Sequence, residues 1–487
     1  MSVARNTLYN LLGGLFPMLV ALVTVPLYLK FIGAAEYGIL TIAWLLMGYS
    51  TYAELGVGQG IANEIARLGD RKIAEHNTVF WTGFVAALIF GVIVGFAMML
   101  FGYALIPYWT SLGTKLKVEL LHALPLLVAA GPLVTGNSVL TSTIESRHHF
   151  IHVNIIQSTG LALAQGLPLL IVFFGHQTIF WLLGFAVLGR AIMFLALLLA
   201  LAELLPLRGG VNFDSSKLRF LFSFGSWVTI SNVAETLLSS LDRWFAGVFL
   251  GAQAVAYYTV PANLATRTAV FPVAIVRTLF PRLSAMDPQT ALRETSRITV
   301  YLARFLAPLI GFGIIIINPF LKLWVGSAFA KHAVMVAPIL LLAAWVRSIY
   351  EIPDVLLRAM RRPRVVATIR VLELPLLFAM CWFGFKWLGL PGLAWAWCLR
   401  VMLDAIYLLN KTGCLSQVAR CLWPQAVGIA VIYLVMNNDY RPLSSGAFVG
   451  SGCALAFLIG CTVWVDRKLW MQIWQALHVK WDSKTEK

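Results

Sequence analysis

The hydrophobic positions of this chain gather into apolar runs of about 20 residues or more, separated by short polar, basic or Gly/Pro-containing segments. A run of that length crosses about 30 Å of hydrocarbon as a helix. Backbone N–H and C=O groups find no water at that depth, and a helix satisfies them within one segment. A transmembrane barrel would show segments of about 10 residues with alternating polarity, and none is visible. Fourteen runs can be laid out between 7–29 and 443–465, the seventh over 220–249 and the eighth over 254–280. The pattern predicts an all-α polytopic membrane protein of about 14 transmembrane helices. The first run follows Arg5 and continues to about Leu29, too long for a signal-peptide core and without a small-residue cleavage site, so an uncleaved first span is expected.

An internal echo orders these helices. "KFIGAAEYG" begins at Lys30 and "VFLGAQAVAYY" at Val248, which puts Gly33 and Gly251 218 positions apart. Each follows the first span of a six-helix block, and an even number of helices per block makes the halves parallel repeats about an axis along the membrane normal. The expected organisation is a six-helix lobe over 1–205, a cytoplasmic linker over 206–219 and a second six-helix lobe over 220–411. Two additional helices follow over 412–465, then a cytoplasmic tail over 466–487. In the tail, "KLWMQIWQALHVKW" puts Trp470, Trp474, Leu477 and Trp481 on one helical face, a pattern for lying on the inner leaflet.

Composition agrees: 60% of residues are apolar and 12% charged, where soluble domains carry about 25% charged residues. Mean hydropathy is +0.82. The net charge of +16 would by itself invite a nucleic-acid partner. Laid on the helices, about 24 of the 37 lysines and arginines fall on the side of the N-terminus, Arg370 among them, and about 7 on the other. That asymmetry is the positive-inside signature; it places both termini in the cytoplasm and removes the need for nucleic acid. The six cysteines form no CxxC pair and have no histidine cluster beside them, so they read as small apolar fillers and no metal site is expected.

Ionisable residues at membrane depth are costly and point to function. On the seventh span Ser231, Glu235, Ser239 and Asp242 recur at steps of three and four, one polar stripe on an apolar helix. Arg243 points about 100° away from Asp242, so the two are not each other's main partner. The competing reading is that Asp242 pairs with a neighbouring helix and fixes the bundle. Arg267 lies near the middle of the eighth span in "PANLATRTAVFP", and its planar fork suits a phosphate or diphosphate. Arg190 and Arg347 also lie near mid-depth. Arg347 with Glu351, and Arg400 with Asp404, have the spacing of intrahelical pairs. Glu54 and Glu373 complete the buried carboxylates; either can carry a coupling proton or cation. Prolines such as Pro168, Pro261, Pro308 and Pro375 interrupt many spans and suit helices that bend.

The stretch "FIGAAEYGILTIAWLLMGYSTYAELGVGQGIANEIA" resembles the N-terminal signature of bacterial lipid-linked oligosaccharide flippases, in the polysaccharide-transporter branch of the multidrug/oligosaccharidyl-lipid/polysaccharide (MOP) exporter superfamily. "SSLDRWFAGVFLGAQAVAYYTVPANLATRTAVFPVAIVRTLFPRLS" is similar to the matching stretch after the linker, with Asp242, Gly251, Tyr257 and Phe280 to Ser284 where the family has equivalents. Glu54 departs from the aspartate that many relatives carry, with the charge kept. The resemblance covers nearly the whole chain. It implies two six-helix lobes around a central cavity, two extra helices and alternating access in the bacterial inner membrane. The implied substrate is an undecaprenyl-diphosphate-linked glycan, an O-antigen, capsule or exopolysaccharide repeat unit, with the pathway's glycan polymerase and glycosyltransferases as partners beside the lipid bilayer. On this reading Arg267, with Arg190 or Arg347, holds the diphosphate. Asp242, Glu235, Glu54 and Arg243 are the candidates for coupling, to H+ or Na+, or for gating. No cofactor is expected.

A cation-coupled multidrug antiporter of the same superfamily is the alternative; it would favour acidic and aromatic residues over arginines at mid-depth. A membrane glycan polymerase or glycosyltransferase would need a sizeable outer loop with catalytic side chains. The longest outer gaps, about 103–118 and 321–332, hold neither an Asp pair nor a His–carboxylate cluster, so an enzyme is not expected. A channel explains the repeat and the bent helices less well.

Overall fold

A computed structural model of the chain describes residues 3–50, 57–68, 73–109, 112–147, 149–204, 213–214, 233–273, 275–276, 286–360, 363–438 and 445–465. Every regular element among them is helical. The first eight helices are α1 (Val3–Phe31), α2 (Ala34–Tyr49), α3 (Val57–Leu68), α4 (Ile73–Leu105), α5 (Thr114–Ala123), α6 (Pro125–Glu145), α7 (Phe150–Phe173) and α8 (Ile179–Leu204). Then come α9 (Leu241–Phe245), which runs into a π-helical turn at Ala246–Leu250, and α10 (Ala252–Thr266), which runs into a 3-10 turn at Arg267–Ala269. The remainder are α11 (Pro288–Val325), α12 (Ser327–Ala333), α13 (Ala337–Ala359), α14 (Pro363–Leu388), α15 (Leu390–Lys411), α16 (Leu415–Asn438) and α17 (Ser445–Val465).

Eight helices among the described residues are long and apolar enough to cross a membrane, and α12 with α13 passes the same test across a 50° bend. Shorter apolar helices cover Phe16–Phe31, Ala34–Tyr49 and Gly450–Thr462. The chain is a multi-pass, all-α membrane protein. Residues 220–232 of the expected seventh span and 277–280 of the eighth lie outside the described residues. So do the tail 466–487 and the linker 206–219 apart from Phe213 and Asp214.

Contacts gather the chain into two compact units, Met1–Thr259 with Ala367–Phe385, and Val260–Val366 with Lys386–Lys487. In the first, α4 packs along α6, α7 along α8, and α1 along α7. Val57 and Ile61 of α3 meet Phe80 and Phe84 of α4, Val139 and Leu140 of α6 and Leu197 of α8 in one apolar core. Lipid tails are as apolar as these side chains, so close fit and interhelical hydrogen bonds hold the helices together.

In the second unit α11 packs on α13, α13 on α15, and α16 on both α11 and α17. Polar side chains here are spent on carbonyls of neighbouring helices. Trp345 Nε1 donates to Ala303 O at 2.8 Å, and Arg304 Nη2 to Cys421 O at 3.0 Å. Helix α11 has 38 residues. At 1.5 Å per residue it spans about 57 Å and outlasts the hydrocarbon. Its start carries aqueous-style signals: Asp287 Oδ2 accepts from Thr290 N at 2.9 Å and Pro288 occupies the first turn.

The echo in the sequence has a conformational counterpart within the first unit. Gly33 enters α2 at φ 90° and ψ 170°, and Gly251 precedes α10 at φ 98° and ψ 169°. Side chains with a Cβ rarely adopt that conformation, which is why glycine recurs at both positions. One turn into α2, Gly38 meets the start of α10 so closely that a Cβ would lie 1.9 Å from Ala252 O. Gly38→Ala is therefore expected to force the two helices apart and cost about 1–3 kcal/mol, read as a lowered thermal midpoint of the detergent-solubilised protein. Gly48→Ala on the same helix, with nothing within 4 Å of its Cβ, should leave the midpoint unchanged. Equal midpoints for the two variants would remove Gly38 as a packing constraint.

Candidate functional site

The segment before Gly251 is broken where a continuous helix was expected. Helix covers 233–238, Ser239 and Ser240 form a turn, and α9 and the π turn follow. The serines supply the cause. Ser239 Oγ and Ser240 Oγ donate to Thr236 O at 2.9 and 2.6 Å, occupying a carbonyl that the helix would otherwise use. The polar stripe therefore does not run straight through. Ser231 lies outside the described residues, Ser239 is exposed, Glu235 is half-buried and Asp242 is 3% exposed. The π turn leaves its own carbonyls displaced, and Trp109 Nε1 donates to Gly247 O at 2.7 Å.

Asp242 is built into the packing. Its Oδ1 accepts from the backbone N–H of Arg243 at 2.8 Å, and its Oδ2 from the hydroxyl of the fully buried Tyr258 on α10 at 2.5 Å. The Arg243 side chain is not its partner, as helical spacing predicted. Tyr49 of α2 closes the other side of the turn: its hydroxyl shares a short hydrogen bond with Ser240 Oγ and accepts from Trp244 Nε1 at 3.0 Å.

Glu235 belongs to a charge cluster that sequence reasoning did not assemble. Arg370 Nε lies 2.9 Å from Glu235 Oε2, and Arg370 Nη1 lies 3.4 Å from Glu373 Oε2. Arg370 is 4% exposed and Glu373 7%. Arg370, counted among the basic residues on the side of the N-terminus, lies within α14, which starts at Pro363. Its i, i+3 spacing to Glu373 was the available signal, and the long-range partner Glu235 had none in one sequence. One guanidinium between two carboxylates satisfies charges that would each cost several kcal/mol alone in an apolar setting.

The remaining candidates divide by partner. In the second unit, Arg347 Nε lies 3.0 Å from Glu351 Oε1 on α13, and Arg400 Nη2 lies 3.3 Å from Asp404 Oδ2 on α15; both pairs follow their spacing. Arg267 opens the 3-10 turn after α10, half-buried, and that turn packs against α13, the helix of Arg347. In the first unit, Arg190 of α8 is half-buried and donates to Ala186 O at 3.3 Å. Arg243 is half-buried, and its Nε is closed off from solvent with no hydrogen-bond partner. Among the described residues no carboxylate forms an ion pair with Arg190, Arg243 or Arg267. Glu54 lies outside the described residues. No group of three or more His, Cys, Asp or Glu residues is arranged to hold a metal ion among the described residues.

Known proteins place this arrangement. A putative O-antigen transporter of Shigella flexneri is 27% identical over 414 residues, covering 84% of this chain and 97% of that protein. Among solved structures, the lipid II flippase MurJ in an inward closed conformation matches with a TM-score of 0.68 at 12% identity, over 95% of this chain and 99% of that one. An inward-facing multidrug resistance MATE family transporter of the MOP superfamily matches with a TM-score of 0.63 at 15% identity, over 86% of this chain and 96% of that one. At those identities the two structures establish the fold. The polysaccharide biosynthesis protein family model matches residues 3–287, more than half of the sequence, and the chain belongs to that family.

Proposed function

We propose that the chain is a flippase that carries a polyprenyl-diphosphate-linked oligosaccharide from the inner to the outer leaflet of the bacterial inner membrane by alternating access. Membership of the polysaccharide biosynthesis protein family and the similarity to an O-antigen transporter along nearly its whole length support that class of substrate. The observation that carries it is electrostatic. Arg190, Arg243 and Arg267 sit on apolar helices with no ion-paired carboxylate among the described residues. A guanidinium kept unneutralised at that depth is expensive, and a diphosphate is the anion whose geometry its fork matches. A cationic drug would require the reverse. Asp242, Glu235, Glu351 and Asp404 are each already bonded to a phenol or a guanidinium. With cytoplasmic termini, the chain would take its substrate from the glycosyltransferases on the inner face and pass it to the polymerase on the outer face.

Deleting the chain from its host should leave the glycan lipid on the cytoplasmic side and strip the surface glycan. An unchanged surface glycan would overturn the flippase reading. Within the chain, Arg267→Ala is expected to abolish complementation and Arg267→Lys to retain part of it, since lysine keeps the charge and loses the bidentate fork. Full activity of the alanine variant at normal abundance would take Arg267 out of the site.

The Glu235–Arg370–Glu373 cluster is the proposed gate. Arg370→Ala leaves two carboxylates facing one another and should cost about 3 kcal/mol, seen as a loss of monodisperse protein. Adding Glu235→Ala should recover most of that protein but not transport. Recovery of both would make the cluster a brace alone.

A further inference from the structure

Two helices of the second unit carry a proline in mid-span, Pro308 in α11 and Pro424 in α16. A proline inside a helix has no N–H for the carbonyl four residues back, which for Pro308 is Arg304 O. Thr462 of α17, 5% exposed, reaches that carbonyl: its hydroxyl lies 3.3 Å from Arg304 O and 2.8 Å from Leu458 O of its own helix. The Arg304 side chain returns the contact. Its Nη2 donates to Cys421 O at 3.0 Å, in the turn of α16 that leads into Pro424. One residue of α11 thus holds α16 through its guanidinium and is held by α17 through its carbonyl.

The same three helices stay together on both sides of this clasp. Toward the start of α11, Cys414 Sγ, just ahead of α16, lies 3.7 Å from Leu292 O. Toward its other end, a Cβ at Gly311 would lie 2.9 Å from Ile432 Cδ1 of α16 and 3.2 Å from Leu458 Cδ1 of α17. A Cβ at Gly428 of α16 would lie 2.5 Å from Leu458 Cδ2. The partners of Leu292 and Arg304 are 122 and 117 positions further along the chain, and Gly311 keeps nearly the same offset to Ile432. A near-constant offset means that α11 and α16 run side by side. From Leu292 to Gly311 is about 28 Å of helix, close to the whole hydrocarbon thickness. Small residues that let helices approach this closely are what hold them together in lipid, where apolar burial does not. An α17 that slid or tilted against α11 would have to break the glycine fit and the proline clasp together.

We propose that α16 and α17 are a strut fastened to α11, which fixes the bend at Pro308 and travels with α11 as one body through the transport cycle. Proline-interrupted spans suit helices that flex, but the carbonyl that Pro308 frees is tied to a neighbouring helix. Arg304 is then a positioning residue of the strut and not an arginine for an anion. The inference rests on the reading that the chain transports by changing conformation, and it holds for any cargo.

Two measurements on the full-length protein test it. In detergent, Thr462→Val removes one hydroxyl and should lower the thermal midpoint by about 1–2 °C, the effect of one hydrogen bond in a long chain. In a Pro308→Ala background the restored N–H serves Arg304 O, so the same change should shift the midpoint far less. Equal shifts in the two backgrounds would overturn the clasp, since the hydroxyl would then serve only Leu458 O. In vesicles, Gly311→Cys with Leu458→Cys is oxidised to a disulfide mapped by mass spectrometry, which joins α11 to α17. Movement of glycan lipid should stay within about twofold of the same protein after reduction, because a joint that does not move cannot limit the cycle. A loss of about tenfold on oxidation, reversed by reduction, would overturn the single body. So would failure of a monodisperse double variant to form the disulfide. An unmodified protein that moves no glycan lipid, with the midpoints as expected, would sink the flippase reading and leave the clasp intact.

Discussion

The described helices answer first to one constraint: inside hydrocarbon, a backbone polar group must find its partner within the protein. The backbone meets it with helices, which is why every described element is helical. Where the helices break, a side chain takes over. Trp109 donates to the Gly247 carbonyl of the π turn, and the two serines before α9 bond back to Thr236. Trp345 and Arg304 do the same between helices of the second unit. The carboxylates follow suit: Asp242 is held by Tyr258, and Glu235 and Glu373 share Arg370.

Among the described residues, Arg190, Arg243 and Arg267 have no ion-paired carboxylate. A chain that finds partners for its carboxylates could have neutralised Arg190, Arg243 and Arg267 in the same way. Neutralised, they would add stability of uncertain sign and no function, because buried ion pairs roughly break even.

The fold class was legible because apolar run length is a local property and the bilayer sets its scale. The Gly33/Gly251 echo was legible for a related reason, since a positive φ demands glycine wherever the turn recurs. The intrahelical pairs Arg347–Glu351 and Arg400–Asp404 followed from spacing alone. The misread elements were those decided elsewhere in the chain. The stripe through Glu235, Ser239 and Asp242 assumed an unbroken helix, and serine hydroxyls competing for Thr236 O broke it. Arg370 was counted only as a basic residue on the side of the N-terminus, and its partner Glu235 was not foreseen because it is 135 residues away in sequence and no period connects them.

Fold alone does not choose the cargo, since multidrug transporters and a lipid II flippase share this architecture. The proposed discriminator is the sign of the charge that has no ion-pair partner among the described residues. Asp242 and Arg243 are neighbours in sequence and opposites in circumstance. The carboxylate is closed off by a phenol and a backbone N–H, so it offers little to a cation. The guanidinium beside it keeps Nε buried and unpartnered. One peptide bond thus separates a carboxylate held at both oxygens from a guanidinium that has no ion-paired carboxylate among the described residues.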